Sequence, residues 1–307
     1  MPDQGLRAGT GDLLNARTIA RWLVIGVAAS VVPLLHCAKA DGTSGFGDDG
    51  GAPEGGADPE AGSFIDDTSP PLPPFVECAD ETKQIYVLGS DKVLYRFYPD
   101  TLKFLRIGTV ACPTVADTFS MAIDRRGVAW VEYTDGRLFA VNTSNAKCQS
   151  TAFRPGQTGF EVFGMGYSRN GDSADGETLY VAGAGLASLD TKSFDLKFLG
   201  SLSFGRTELT GLDTKLFAFS VGSGVIAGLN KTTAATEIVY RTSAIEERAA
   251  FAFAQWGGDF WLFTGSTRSI VTQYKPVGDT STVVVKETGV LVAGPVSSPS
   301  APTTPPR

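Results

Sequence analysis

Few residues in this sequence are equipped for chemistry, and most of them are carboxylates. The only histidine, His36, sits inside an apolar N-terminal stretch. The remainder therefore has no imidazole to act as a general base, to complete a Ser-His-Asp or Cys-His arrangement, or to ligate a metal. No phosphate-binding loop, dinucleotide fingerprint or paired Cys-x-x-Cys occurs, and Gly183-Ala-Gly185 is too brief to wrap a phosphate. Asp117, Glu161, Glu208, Glu247 and Glu287 remain, each at or shortly before a segment with a shared apolar pattern. Gathered at one mouth of a channel, such a ring could bind a cation, or divide into general acid and nucleophile or base for glycoside hydrolysis. The plainer reading is that strand ends are polar because they meet water. Trp256 opens the turn Trp256-Gly-Gly-Asp259 and is the aromatic best placed to stack on a sugar, although capping a turn is the commoner role. No cofactor and no metal are expected.

Positioning those residues requires a repeated scaffold, and the sequence repeats in three columns. The first joins Phe119 to Asp124, Phe163 to Ser168, Glu208 to Asp213, Phe251 to Trp256 and Val290 to Gly294. Each holds one small residue, Ala122, Gly166, Gly211, Ala254 and Ala293, at separations of 44, 45, 43 and 39. The second column is an aromatic between apolar neighbours: Tyr86, Trp130, Tyr180, Phe217 and Trp261. The third ends a strand at a turn former, as in Tyr98-Pro99-Asp100, Asn142-Thr143, Asp190-Thr191, Asn230-Lys231 and Lys275-Pro276. A looser fourth segment follows: Phe104 to Gly108, Gln149 to Phe153, Leu196 to Gly200, Glu237 to Arg241 and Thr282 to Lys286. Four short β-rich segments per 40 to 45 residues is the spacing of a β-propeller. The expected fold is all-β, a propeller of about five four-stranded blades. Small residues suit innermost strands crowded round an axis, and aromatics suit second strands packed between blades. The first unit opens directly on its second strand at Ile85, so the fifth copy at Val290 to Gly294 is expected to supply its missing inner strand and close the ring. A β-sandwich is the alternative on strand spacing alone.

The expected propeller spans residues 76–298. Ahead of it, residues 41–75 form a Gly-, Pro- and Asp-rich stretch too poor in apolar groups to fold, read as a disordered acidic tether. Residues 299–307 are a short Pro-rich tail expected to trail in solvent. Residues 1–40 follow the order of a secretory signal: Arg17 and Arg21, then fourteen uncharged residues from Trp22 to Leu35, short of the ~20 needed to span a bilayer. The net charge is -7; setting aside the first forty residues leaves 22 Lys and Arg against 31 Asp and Glu, or -9. With no basic cluster, nucleic acid is not an expected partner. An exported chain can keep disulfides, and Cys78, Cys112 and Cys148 remain beyond Cys37. Short separation favours Cys112 with Cys148. Strand polarity opposes it, because the first follows an outgoing outer strand and the second begins the next one.

Leu34-Leu35-His36-Cys37 resembles the lipobox of bacterial lipoproteins, with His36 where that family has a small residue. The resemblance implies lipid attachment at Cys37 and, with Ala38 beside it, sorting to the outer membrane. Ordinary cleavage at Ala38-Lys39-Ala40 and an uncleaved anchor are the alternatives; all three place the body outside the cytoplasm. Leu94 to Thr101, Phe119 to Asp124, Gly183 to Thr191 and Trp256 to Phe263 make residues 78 to 296 similar to exported propeller lipoproteins of Gram-negative soil bacteria. More broadly the chain resembles WD40-like and SMP-30-like propellers. The narrower resemblance implies a fold and an address but no activity. It also implies a cysteine near the C-terminal strand as partner for Cys78; here that stretch reads Ser297-Ser298-Pro299. The expected function is a monomeric, lipid-tethered envelope module binding a glycan, peptide or envelope protein without catalysis. The alternatives are a carbohydrate-active hydrolase or lyase using the acidic mouth, and a structural component of the cell surface.

Overall fold

The computed structural model describes residues 83–171, 176–220, 222–242 and 250–304. Cys37, Cys78 and Glu247 lie outside them. Blade 1 holds β1 (Ile85–Gly89), β2 (Val93–Tyr98) and β3 (Lys103–Thr109), and blade 2 holds β4 (Thr118–Ile123), β5 (Val128–Tyr133), β6 (Leu138–Asn142) and β7 (Cys148–Ser150). Blade 3 is β8 (Gly164–Arg169), β9 (Glu177–Ala182), β10 (Leu186–Leu189) and β11 (Leu196–Gly200). Blade 4 is β12 (Thr207–Leu212), β13 (Lys215–Ser220), β14 (Val225–Leu229) and β15 (Thr236–Arg241). Blade 5 is β16 (Ala250–Trp256), β17 (Asp259–Gly265), β18 (Ser269–Lys275) and β19 (Thr280–Val285), and the last strand, β20 (Val292–Ser297), pairs antiparallel with β1 to become the inner strand of blade 1. The inner strands touch in cyclic order, β20 to β4, β8, β12, β16 and back to β20. The chain is a five-bladed β-propeller closed by its C-terminal strand.

Ala122, Gly166, Gly211 and Ala254 lie on these inner strands, and their size is required. A Cβ at Gly166 would stand 2.7 Å from the Leu209 carbonyl, and one at Gly211 would collide with the carbonyl of Tyr167. Backbone thus meets backbone between blades 3 and 4. The fifth copy is displaced from its expected place. Ala122, Gly166 and Ala254 pair with Trp130, Tyr180 and Trp261, but the equivalent aromatic Tyr86 pairs with Val296, so Ala293 is not the counterpart. Gly294 makes the close approach there, its would-be Cβ 3.0 Å from the Met121 nitrogen. The aromatic column, Tyr86, Trp130, Tyr180, Phe217 and Trp261, is buried throughout; each such side chain contributes about 1.5 to 3 kcal/mol of burial free energy.

The described part of the C-terminal tail, residues 299–304, does not trail in solvent. Ala301 donates to Ser298, Gly257 donates to Pro302 at 2.7 Å, and Ala301 is buried against Trp256. Pro-rich chain that lacks donors is held here by its carbonyls and its apolar surface.

The outer hairpins share one device. In Asn142 to Lys147, Asp190 to Asp195 and Asn230 to Ala235, the leading side chain accepts from the backbone amide two residues on, at 2.8, 2.7 and 3.0 Å. The turn then closes through Ala146, Phe194 and Ala234, each with positive φ. These residues are knobs against the preceding blade: Ala146 beneath Gly108, Phe194 edge-on to Trp130 with ring centroids 6.0 Å apart, and Ala234 beneath Gly200. Asp190→Ala removes an acceptor serving two amides and loosens the Phe194 knob. We expect unfolding free energy to fall by about 1 kcal/mol in a urea titration.

Cys112 and Cys148 are joined by a disulfide with Cα atoms 5.2 Å apart. Strand polarity would separate the two cysteines only if the blades were flat. Strand twist turns the outermost strand of a blade away from the axis direction, so the end of β3 reaches the β6–β7 turn of the next blade. Gly108 against Asn145 and Ala146 is the same contact without the covalent bond.

Candidate functional site

Inner strands pair on one side only, so alternate backbone amides point toward the axis with no ladder partner. Polar side chains from other blades satisfy them. Met165 N on β8 donates to Ser120 Oγ of β4 at 3.1 Å and to Glu208 Oε2 of β12 at 3.4 Å, and Ser120 Oγ donates to the same Glu208 oxygen at 3.0 Å. Phe163 N donates to Glu132 Oε2 of β5 at 2.9 Å. Further along, Gln255 N of β16 donates to Thr210 Oγ1 and Ser297 Oγ, both at 3.2 Å. Ser120, Glu132, Glu208, Thr210, Gln255 and Ser297 are all buried. The axis is filled by hydrogen bonds between blades.

Of the carboxylates singled out in the sequence that fall among the described residues, Glu208 alone turns onto this axis. Asp117 is exposed, and its backbone pairs with Thr134. Glu161 is exposed beside Gly156, and Glu287 is exposed in an ion pair with Arg268. These residues lie shortly before β4, β8 and β20 and are exposed, with Glu287 in an ion pair. Trp256 is not a platform. It is 7% exposed, its Nε1 donates to the Lys83 carbonyl at 2.8 Å, and its carbonyl accepts from Trp261 Nε1 at 3.2 Å. The turn it opens is covered by the C-terminal strap, which the sequence reading had placed in solvent.

Glu132, which is buried, and Glu177, which is half-buried, escaped the sequence reading. Glu132 occupies the second-strand position two beyond the central aromatic, where the other blades have Leu88, Ala182, Phe219 and Phe263. A lone acid in an otherwise apolar column was the available signal. Burial raises its pKa well above the ordinary carboxylate value; the Phe163 amide opposes this, and the charges of Glu208 and Asp135 add to it. Burial likewise raises Glu208, against the hydrogen bonds from Ser120 and Met165. Glu177, at the opposite end of blade 3, is pushed up to about 7 by burial, with the Arg125 amide and guanidinium opposing and Asp124 reinforcing. Its Oε1 accepts from Arg125 N at 2.8 Å. A carboxyl that holds its proton near neutrality can in principle serve as a general acid. Glu132 is fully buried, however, and Glu208 is committed to Ser120 and Met165. Among the described residues, no three His, Cys, Asp or Glu side chains converge as a metal site would need.

No protein-family model matches the sequence, and no curated protein matches it. Solved structures with a similar chain path include a protein of unknown function from Bacteroides caccae, 12% identical, covering 69% of this chain and 97% of its own, with a TM-score of 0.42. The nidogen/laminin complex contains a chain 12% identical, with coverage of 70% and 85% and a TM-score of 0.45. Myxococcus xanthus glutaminyl cyclase is 13% identical, with coverage of 60% and 71% and a TM-score of 0.39.

Proposed function

We propose that this chain is an exported, lipid-anchored propeller of the cell envelope that acts as a non-catalytic binding or scaffold module. The observation that carries this reading is the filled axis. The carboxyls a hydrolase would use there, Glu208 and Glu132, are buried and engaged with Ser120, Met165 and Phe163. Glycosidic cleavage needs two carboxyls flanking a bond that substrate can bring between them. What this propeller offers a partner is its rim and loops, where Asp117, Glu161 and Glu287 are exposed. The order of Arg17, Arg21, the apolar run and Cys37 supports the address.

Two measurements test the reading. Cells expressing the full chain are fed a labelled fatty acid; label is expected in the native protein and absent from Cys37→Ala, and label persisting in that variant removes the anchor. The exported chain is then screened against glycans for binding and for cleavage. Binding without turnover is expected, and product formation abolished by Glu208→Gln would establish the hydrolase instead.

A further inference from the structure

Glu132 and Glu208 come from different blades and both meet the start of blade 3. Glu132, on β5 of blade 2, accepts Phe163 N, one residue ahead of β8; Glu208, on β12 of blade 4, accepts Met165 N on β8, the inner strand of blade 3. Ser120 pairs with Glu132 across β4 and β5 and donates its hydroxyl to Glu208. Three blades are therefore tied through two carboxyls. The charged groups bearing on the pair are few. Asp135, on the β5–β6 turn, adds negative charge at Glu132. Arg206, just ahead of β12, is the cation acting on Glu208, and it lies over the Phe251 ring at 5.1 Å. Thr210, Gln255 and Ser297, from β12, β16 and β20, fill the next stretch of axis and carry no charge. Glu132 Oε1 is buried with no hydrogen-bond partner among the described residues.

Two ionised carboxylates in such surroundings repel one another and lose most of their hydration. A proton kept on the pair relieves both terms. We propose that Glu132 and Glu208 form a proton-dependent latch: with a proton retained on the pair, the inner edges of blades 2, 3 and 4 are tied together, and its removal loosens them. The raised proton affinity of both carboxyls agrees with this arrangement. The sign follows from linkage. An acid that binds its proton more tightly folded than unfolded stabilises the fold at low pH, and that contribution is lost as pH rises from the unfolded pKa toward the folded one. The latch is closed in acid and slack in alkali.

The test uses the exported chain carrying Glu177→Gln, which removes the half-buried carboxyl whose pKa is also raised. Amide exchange at Phe163 and Met165 is followed from about pH 5 to about pH 8.5, corrected for the intrinsic rate. Opening is expected to rise about tenfold per pH unit until the pair is fully ionised. Adding Glu132→Gln and Glu208→Gln together, both neutral isosteres, should flatten that dependence while leaving exchange in blade 5 unchanged. An equally steep rise in this variant overturns the proposal. Should it fail to fold, the carbonyl stretch of a protonated carboxyl is sought by infrared in the Glu177→Gln chain at neutral pH. Its presence, with loss in alkali, is expected; its absence at neutral pH overturns the latch.

Discussion

Replacing Cys112 and Cys148 together by Ser should lower the unfolding free energy by about 4 kcal/mol, from the chain-entropy relation applied to a closed loop of 36 residues. The site makes a loss of that size visible. The outer strand of blade 2, β7, has three residues, against five to seven in the other outer strands. It pairs with β6 only through Phe139, Ala140 and Val141. The disulfide ties its first residue to the end of blade 1, a junction that blades 3 and 4 make without a disulfide, Gly200 packing against Thr233 and Ala234. In urea the double variant should unfold at lower concentration, with a steeper slope because its unfolded chain is more open. An unmoved midpoint would mean that the glycine contact alone secures the junction. Adding a reductant to the native chain should give the same shift.

The second large effect depends on pH and on a different carboxyl. Glu177 holds its proton up to about pH 7, against an ordinary value of 4.5. Below 4.5 it is neutral in both folded and unfolded chains, and its stabilising term is complete. Between 4.5 and 7 the unfolded chain gives up the proton and the folded one keeps it, so stability falls; above 7 the loss is complete. Its size is at most about 3 kcal/mol, at 1.36 kcal/mol per pKa unit. Glu177→Gln should leave the melting temperature at low pH almost unchanged and raise it in mild alkali, with most of the gain appearing across that interval. A gain of equal size at every pH would show that packing, and not ionisation, is responsible. The axial pair contributes with the same sign, so the variant should keep a residual decline.

How much of this was legible beforehand follows from what repeats. Ala122, Gly166, Gly211 and Ala254 recur because the strands carrying them face the same crowding, so comparing one blade with the next exposes the requirement. Ala293 misled because the closing strand joins blade 1 from the far end of the chain, in a register set by β1 and by the Ser298 to Thr304 strap rather than by the preceding repeat. The strap itself was unreadable: short Pro- and Ser-rich chain folds only against something, here the turn after Trp256, and its own composition names no surface. Glu132 was overlooked because an acid one residue from a strand end reads as the start of a loop. Only the four apolar residues in its column mark it as buried. The Cys112 to Cys148 pairing needed the twist of the blades, a property of assembled sheets that residue spacing does not carry.

Closure by the last strand also orders the events of synthesis. The chain leaves the ribosome with β1 early and β20 some two hundred residues later, so the inner edge of the first blade waits open until nearly the whole body has been made. An unpaired edge is a template for any passing strand. A product cut short ahead of Val292 keeps four complete blades and one ragged one, and we expect proteases to clear it while the closed ring survives.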